Sequence, residues 1–331
     1  MTQVRTDDPS LALSELYQPI VGDLSVVEHI FDEEIRSALP FVNDLCGTVR
    51  SYRGKMLRPA LLLLAGKAAG TMSPELHTLA AVVEMVHMAT LVHDDILDEA
   101  TERRKNPTIC ALAGNEAAVL LGDYLISHAY HLCSSLDSQY AARRVAATTN
   151  TVCEGELLQN YRRGADLSEA DYLEIIRRKT ASLTSLCCEL GATYSGAPDA
   201  SVSALRAYGT SLGMAFQVVD DVLDVVGERA KVGKTLGRDF DLGKLTMPTI
   251  HCLAHADEET VGQIMSIVSV ESTRSNGKLL RWLEATDSIH YSRTVAERFA
   301  DEAVQALGPL PTSDAKTSLI ALAEFTVSRP L

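Results

Sequence analysis

Uninterrupted apolar runs are short in this sequence. Stretches free of polar residues, such as Leu61–Ala65, last a handful of residues, far below the roughly 20 that a bilayer span requires. Met1–Ser10 carries Arg5, Asp7 and Asp8 and no apolar core, so it does not read as a secretory signal. No C-x-x-C pair occurs among the seven scattered cysteines, which argues against a disulfide framework or a thiolate zinc site and for reduced thiols in a cytosolic protein. Basic residues are outnumbered 30 to 44, a formal charge of −14. A surface that acidic repels a phosphate backbone, which removes general nucleic-acid binding from consideration. Alternating strand patterns are few, and no G-x-G-x-x-G follows one, so a dinucleotide-binding Rossmann domain is not expected. These absences predict a soluble, acidic, cytoplasmic globular protein without a transmembrane segment.

Helical patterning fills what remains. The stretch following Ser73-Pro74-Glu75 is rich in Ala, Leu, Met and Val and contains no Gly or Pro for more than twenty residues. Ser73 is placed to cap it, with Pro74 at the first helical position. It is apolar almost all round, as a helix inside a bundle should be. Further helical runs are predicted at about 115–135, 140–161, 169–190, 201–226, 243–255, 257–269, 276–286, 293–306 and 313–328. No Pro- or Ser-rich linker divides the 331 residues. The expectation is therefore an all-α fold, a single large helical bundle over 13–331, preceded by a disordered segment at 1–12.

One internal echo carries the chemistry. Val92-His93-Asp94-Asp95-Ile96-Leu97-Asp98 and Val218-Val219-Asp220-Asp221-Val222-Leu223-Asp224 share the pattern V-x-D-D-x-L-D. Residues four apart on a helix stand about 400° apart, on nearly one face, so Asp94 pairs with Asp98 and Asp220 with Asp224. Acids grouped at the C-terminal end of an apolar helix oppose its dipole and raise one another's pKa. A divalent cation relieves both problems, and an all-oxygen donor set selects Mg2+ or Mn2+ over zinc. Cations cluster nearby in sequence: Lys55 and Arg58, Arg103 and Arg104, Arg178 and Lys179, Gly233-Lys234 and Gly243-Lys244. Lys and Arg are the usual phosphate partners, and Mg2+ with few protein carboxylates keeps phosphate oxygens as its other ligands. The pattern points to a magnesium-bound diphosphate at the mouth of an apolar bundle.

The same residues resemble the motifs of the trans-isoprenyl diphosphate synthases (polyprenyl synthetases) over nearly the whole length. Asp94-Asp95-Ile96-Leu97-Asp98 with Arg103-Arg104 is similar to the first aspartate-rich motif, and Phe216-Gln217 with Asp220-Asp221-Val222-Leu223-Asp224 to the second. Gly54-Lys55-x-x-Arg58-Pro59, Glu154-Gly155-Glu156, Lys179-Thr180 and Gly233-Lys234…Asp239…Gly243-Lys244-x-Thr246-x-Pro248 fall in the family's order. Arg53, Met56 and Lys105-Asn106 depart from it. The resemblance implies the isoprenoid synthase type I fold around a central apolar tunnel, and a homodimer. It implies metal held by Asp94, Asp95, Asp98, Asp220 and Asp224, about three Mg2+ ions with Mn2+ as a substitute. Arg103, Lys179, Thr180, Gln217, Lys234 and Lys244 would hold an allylic diphosphate, and Lys55, Arg58, His87 and Arg104 isopentenyl diphosphate. Asp94, Asp98, Asp220, Lys179 and Lys234 would carry catalysis: ionisation, condensation and proton loss, adding one E-configured C5 unit.

Rival readings explain less. Glu84-x-x-His87 is half of a ferritin-like di-iron pattern, and no second copy is found. His93-Asp94 matches metal phosphohydrolases in two residues only. A terpene cyclase should need aromatic walls around its cation, and aromatics are 5% of this chain with one Trp. A non-catalytic subunit should have lost motif residues that are present here. Product length is read from the helix itself, which advances about 5.4 Å per turn, roughly one isoprene unit. Below Asp94 lie Ala89 and Thr90, then Val86 and Met85, with no aromatic residue from Leu76 to Val92. In this family a bulky aromatic side chain four or five positions before the first aspartate stops elongation. Small residues there predict a long product of about C30–C50, such as a quinone side-chain precursor, with a short-chain C15–C20 enzyme as the alternative.

Overall fold

Prolines and polar caps set where the helices begin. In the computed structural model, residues 9–164, 167–226, 238–268 and 276–329 are described. The helices are α1 (Pro9–Leu16), α2 (Val21–Glu34), α3 (Pro40–Tyr52), α4 (Leu57–Ala69), α5 (Pro74–Leu97), α6 (Ile109–Ser134), α7 (Tyr140–Tyr161) and α8 (Glu169–Ile176). They continue as α9 (Ser182–Tyr194), α10 (Asp199–Val226), α11 (Arg238–Asp241), α12 (Met247–His255), α13 (Glu258–Val268), α14 (Asn276–Ala285), α15 (Ser288–Ala306) and α16 (Asp314–Ser328). A two-residue hairpin, β1 (Glu102–Arg103) against β2 (Asn106–Pro107), is the sheet among the described residues. The fold is all-α, as the periodicity predicts.

Local chemistry explains where boundaries differ from the sequence reading. Pro74 opens α5 as expected, but the Ser73 hydroxyl does not cap it; it donates instead to the Tyr194 carbonyl at 3.5 Å. Thr108 does cap α6, accepting from the Ala111 N–H at 3.2 Å, and a kink at Gly114 restarts that helix near the predicted residue 115. The run expected from 243 begins as α12 only at Met247, because Pro248 fits the first turn and not a helix interior. The run 169–190 is interrupted by a π turn, Arg177–Ala181. Single π turns inside α-helices often mark functional sites.

The chain forms two compact units where a single domain is the sequence expectation. Unit 1 comprises residues 1–149, 183–209 and 304–322, and unit 2 comprises 150–182, 210–303 and 323–331. Their boundaries fall inside helices, not in linkers. In unit 1, α5 packs against α2, α4 and α6, with Leu76, Leu79, Val82, Val83 and Met85 fully buried. Each such side chain contributes about 1.5–3 kcal/mol relative to exposure, which holds α5 in place despite its buried Glu84 and Asp95. In unit 2 the core joins Tyr172, Ile175 and Ile176 to Met214, Val218, Phe240, Met247 and Leu283. Although strictly apolar runs are short, α5 and α6 are each long and apolar enough to cross a membrane by length and composition. Of the 18-residue apolar stretch that meets this test, 67% is buried in α5 and only 28% in α6.

Candidate active site

In unit 1 the first aspartate motif ends α5. Asp98 donates its N–H to the Asp94 carbonyl at 2.8 Å, and Ala100 donates to Asp95 at 2.8 Å, which closes the helix. Asp94 and Asp98 are half-buried, whereas Asp95 is 1% exposed. The sequence reading groups Asp95 with the metal ligands. The structure gives it another partner: Arg103 donates from both Nε and Nη2 to one Asp95 oxygen, at 2.9 and 2.8 Å. Arg103 is thus held in place by the middle aspartate.

Arg103 and Arg104 are presented by the hairpin. Its two turn residues, Arg104 (φ 51°) and Lys105 (φ 66°), both lie in the left-handed region, which a two-residue turn of the I′ kind demands and which Asn-Gly usually supplies. Non-glycine residues there cost about 1–3 kcal/mol each, strain that tends to gather at functional sites. The Arg104 guanidinium donates to the Tyr52 carbonyl and lies where a side chain on Gly54 would be, since a Cβ at Gly54 would come within 2.2 Å of it. That is the physical reason for glycine in the Gly54-Lys55 motif. Arg53, one of the departures from the family pattern, pairs with Asp32 and stacks 4.2 Å from the Phe31 ring centre. Met56, another, takes φ 49° immediately before α4.

Beneath these cations lies Glu84. Burial raises its pKa to about 7, while the charges of Arg58, Arg53 and Arg104 pull the other way. Arg58 Nη1 is 2.9 Å from His87 Nε2. A guanidinium can only donate, so that nitrogen accepts and the ring proton sits on Nδ1. Burial first, then Arg58, Arg103 and Arg104, hold the His87 pKa well below the usual range. Arg58, His87 and Arg104 therefore form one cluster, with His87 orienting Arg58. Lys55 is exposed at its edge of the motif. Among the chain-length positions, Met85, Val86 and Ala89 are buried, and the Thr90 hydroxyl donates to the His87 carbonyl at 2.7 Å.

Unit 2 carries the second motif with the same division of labour. Asp220 and Asp224 are half-buried, and the middle Asp221 is buried. Tyr172 donates to Asp221 Oδ2 at 2.6 Å and Gln217 donates to Oδ1 at 2.8 Å. Burial, then the charge of Asp239, pushes the Asp221 pKa well up. Thr180 donates in turn to the Gln217 side-chain oxygen at 2.7 Å, so Thr180, Gln217, Asp221 and Tyr172 form one hydrogen-bonded chain. Asp239 gives its N–H to Asp224 at 3.3 Å and its carbonyl to the Lys244 N–H at 2.8 Å, placing buried Lys244 beside the motif. Lys234 lies outside the described residues.

The Glu154-Gly155-Glu156 motif positions Lys179. Glu154 pairs with Arg178 and Glu156 with Lys179, and Lys179 also donates to Gln159 at 3.0 Å. A Cβ on Gly155 would stand 2.7 Å from the Lys179 backbone nitrogen and 2.8 Å from the Arg178 Cβ, so glycine lets α7 approach the π turn closely. Tyr172 and Arg329 escape the sequence reading. Arg329 Nη1 donates to Asp220 Oδ1 at 2.9 Å, and its guanidinium lies 4.6 Å from the Phe216 ring centre. A cation already rests on the carboxylate assigned to metal. Together with an all-carboxylate donor set at the accessible outer positions of both motifs, that fits a hard divalent ion.

Comparison with known proteins identifies the family. The polyprenyl synthetase family model matches residues 40–285. The chain is 32% identical to the octaprenyl diphosphate synthase of Escherichia coli K12, over 96% of this chain and 99% of that one. A decaprenyl diphosphate synthase from Rhodobacter capsulatus superposes with a TM-score of 0.90 at 34% identity, covering 95% and 98% of the two chains. A polyprenyl synthase from Caulobacter crescentus CB15, complexed with calcium and isoprenyl diphosphate, gives 0.92 at 32% identity, covering 96% and 98%. Ordered motifs, helical fold and full-length similarity converge: the chain belongs to the polyprenyl synthetase family.

Proposed function

We propose that this protein condenses isopentenyl diphosphate with an allylic diphosphate to build an all-E, long-chain polyprenyl diphosphate of about C30–C50. The observation that carries the reading is the split within both motifs. The outer aspartates are accessible, while the middle ones are buried and spent on positioning, Asp95 on Arg103 and Asp221 on Tyr172 and Gln217. Asp94 and Asp98, Asp220 and Asp224 are the groups that would hold Mg2+. The bound ions would neutralise diphosphate charge and stabilise the leaving group. Arg103, Lys179, Thr180, Gln217, Lys244 and Lys234 are assigned to the allylic diphosphate. Lys55, Arg58 and Arg104 are assigned to isopentenyl diphosphate, with neutral His87 holding Arg58 in register. The proton lost after condensation passes to the released diphosphate.

Two observations favour the long product: relatives that make octaprenyl and decaprenyl diphosphates, and small side chains at Ala89 and Thr90. The apolar face of α6, with Leu112, Val119 and Leu120 exposed, supports a homodimer in which a second copy covers it. A monomeric mass by light scattering at micromolar concentration would refute that. The seven cysteines are unpaired, the state a reducing cytoplasm maintains. Incubation with farnesyl diphosphate, isopentenyl diphosphate and Mg2+, followed by product analysis, tests the activity. Asp94→Ala and Asp220→Ala should lower turnover by orders of magnitude with the fold intact. A wild-type product that stops at C15 or C20 would refute the long-chain assignment.

A further inference from the structure

A second constellation stands in unit 1, composed of residues the proposed reaction does not use. Glu34 is the last residue of α2, while His128 and His131, three positions apart, share one face of α6. Both imidazoles aim Nδ1 at the same carboxylate oxygen: His128 at 2.9 Å and His131 at 2.7 Å from Glu34 Oε1. The three donor atoms all lie within 4.8 Å of one another. Two independent ion pairs could spread over both oxygens of the carboxylate; here both ring N–H groups donate to the same oxygen, so the two Nδ1 atoms converge on one point. The neighbours fix that convergence. The Tyr124 ring packs 4.3 Å from the His128 ring and its hydroxyl donates to the Ile35 carbonyl at 3.4 Å, so His128 is braced from the preceding turn of α6. Glu33 is diverted to Arg36 at 3.2 Å. The Glu34 carboxylate sits at the negative end of the α2 dipole, where a cation is favoured.

We propose that Glu34, His128 and His131 form a binding site for a divalent transition-metal ion of the zinc class, one that pins the end of α2 to α6. Two imidazoles and one carboxylate suit Zn2+ and its neighbours and not Mg2+, so the site is chemically separate from the aspartate motifs. Metal–ligand distances of about 2.0–2.1 Å in a tetrahedral site set ligand atoms roughly 3.3 Å apart. The separations of 2.7 and 2.9 Å need only widen by about half an ångström, within reach of small side-chain rotations. On binding, each ring presents its Nδ1 lone pair to the ion and carries its proton on Nε2. With the His131 side chain 72% exposed, solvent can supply the fourth ligand.

The test uses the full-length protein, stripped with a chelator and kept in excess Mg2+ so that the aspartate motifs are occupied. Zn2+ is titrated calorimetrically, and Co2+ is added as a spectroscopic probe. The proposal expects one ion per chain with micromolar or tighter affinity, a tetrahedral Co2+ spectrum, and a higher melting temperature with Zn2+. His131→Ala, an exposed position, and Glu34→Gln should each weaken binding at least tenfold and abolish the thermal shift. His77→Ala, which touches a different ion pair with Asp23, should leave both unchanged. Failure of the wild type to bind at 100 μM Zn2+ (on the order of a hundredfold above the expected constant) overturns the site, as does undiminished binding in both variants. A thiolate-to-cobalt charge-transfer band would assign the ion to a cysteine, with the same consequence. Prenyl transfer is not read out, so the two assignments stand or fall separately.

Discussion

Replacing Gly155 by alanine tests whether close helix approach is what positions Lys179. Ordinary contact begins at 3.4 Å, so a new Cβ at 2.7 Å from the Lys179 nitrogen and 2.8 Å from the Arg178 Cβ forces the π turn back by about 0.6–0.7 Å. Overpacking of that kind costs about 1–3 kcal/mol. Alanine also gains about 1 kcal/mol over glycine inside a helix, which leaves a net loss of only about 0–2 kcal/mol. Stability is therefore the weaker readout. Geometry is the stronger one, because a 1 Å misplacement can cost about a hundredfold in rate, so 0.7 Å predicts a loss of roughly ten- to thirtyfold in kcat/KM for the allylic diphosphate. The assay varies that substrate at saturating isopentenyl diphosphate and Mg2+, alongside thermal unfolding. Gly47→Ala is the control: nothing lies within 4 Å of its added Cβ, and it should raise stability by about 0.5–1 kcal/mol with kinetics unchanged. Wild-type kinetics in Gly155→Ala would show that the approach of α7 does not hold Lys179.

Other perturbations probe separate parts of the molecule. Ala89→Phe should shorten the product to about C15–C20 while condensation persists; an unchanged product distribution would move the tunnel floor to another helix. Glu84, raised to about 7 from 4.5, contributes stability that is present below pH 4.5 and lost as pH rises through 7, by about 3 kcal/mol at 1.36 kcal/mol per unit. His87 works in the opposite sense, since its depressed pKa costs stability as pH falls below 6.5. The wild-type curve mixes the two, so the difference in denaturant stability between wild type and Glu84→Gln isolates Glu84, and a difference flat from pH 5 to 8 would contradict the buried-carboxyl reading. Arg329→Gln, which removes the guanidinium from Asp220, should tighten Mn2+ binding measured by electron paramagnetic resonance severalfold. Equal affinity would show that Arg329 does not compete with the ion.

Local patterns were legible and long-range pairings were not. The start of α5 at Pro74, the restart of α6 after Gly114 and the limits of α7 all follow from spacing and from proline and glycine positions. The role of Ser73 did not, because its hydroxyl serves Tyr194, 121 residues away. The accessible outer aspartates were readable from the i, i+4 face, but the burial of Asp95 and Asp221 depends on what packs against the opposite face. Tyr172 is 49 residues from Asp221, and Arg329 is 109 residues from Asp220. Neither separation leaves a periodic trace. Glycine in Gly54-Lys55 and Glu154-Gly155-Glu156 was visible as a motif, yet its physical cause, the guanidinium against Gly54 and the π turn against Gly155, required the fold.

The interleaving of the two units also bears on how the protein is made. Unit 1 takes most of its residues from 1–149 but draws on residues 304–322, so it lacks a structural piece until those have left the ribosome. At roughly 5–20 residues per second, the interval between residues 149 and 322 is on the order of 10–35 s. Within that time α4 also waits for α9, where Gly191 comes against the Leu62 carbonyl. A ribosome that stalls before residue 304 releases a fragment able to complete neither unit.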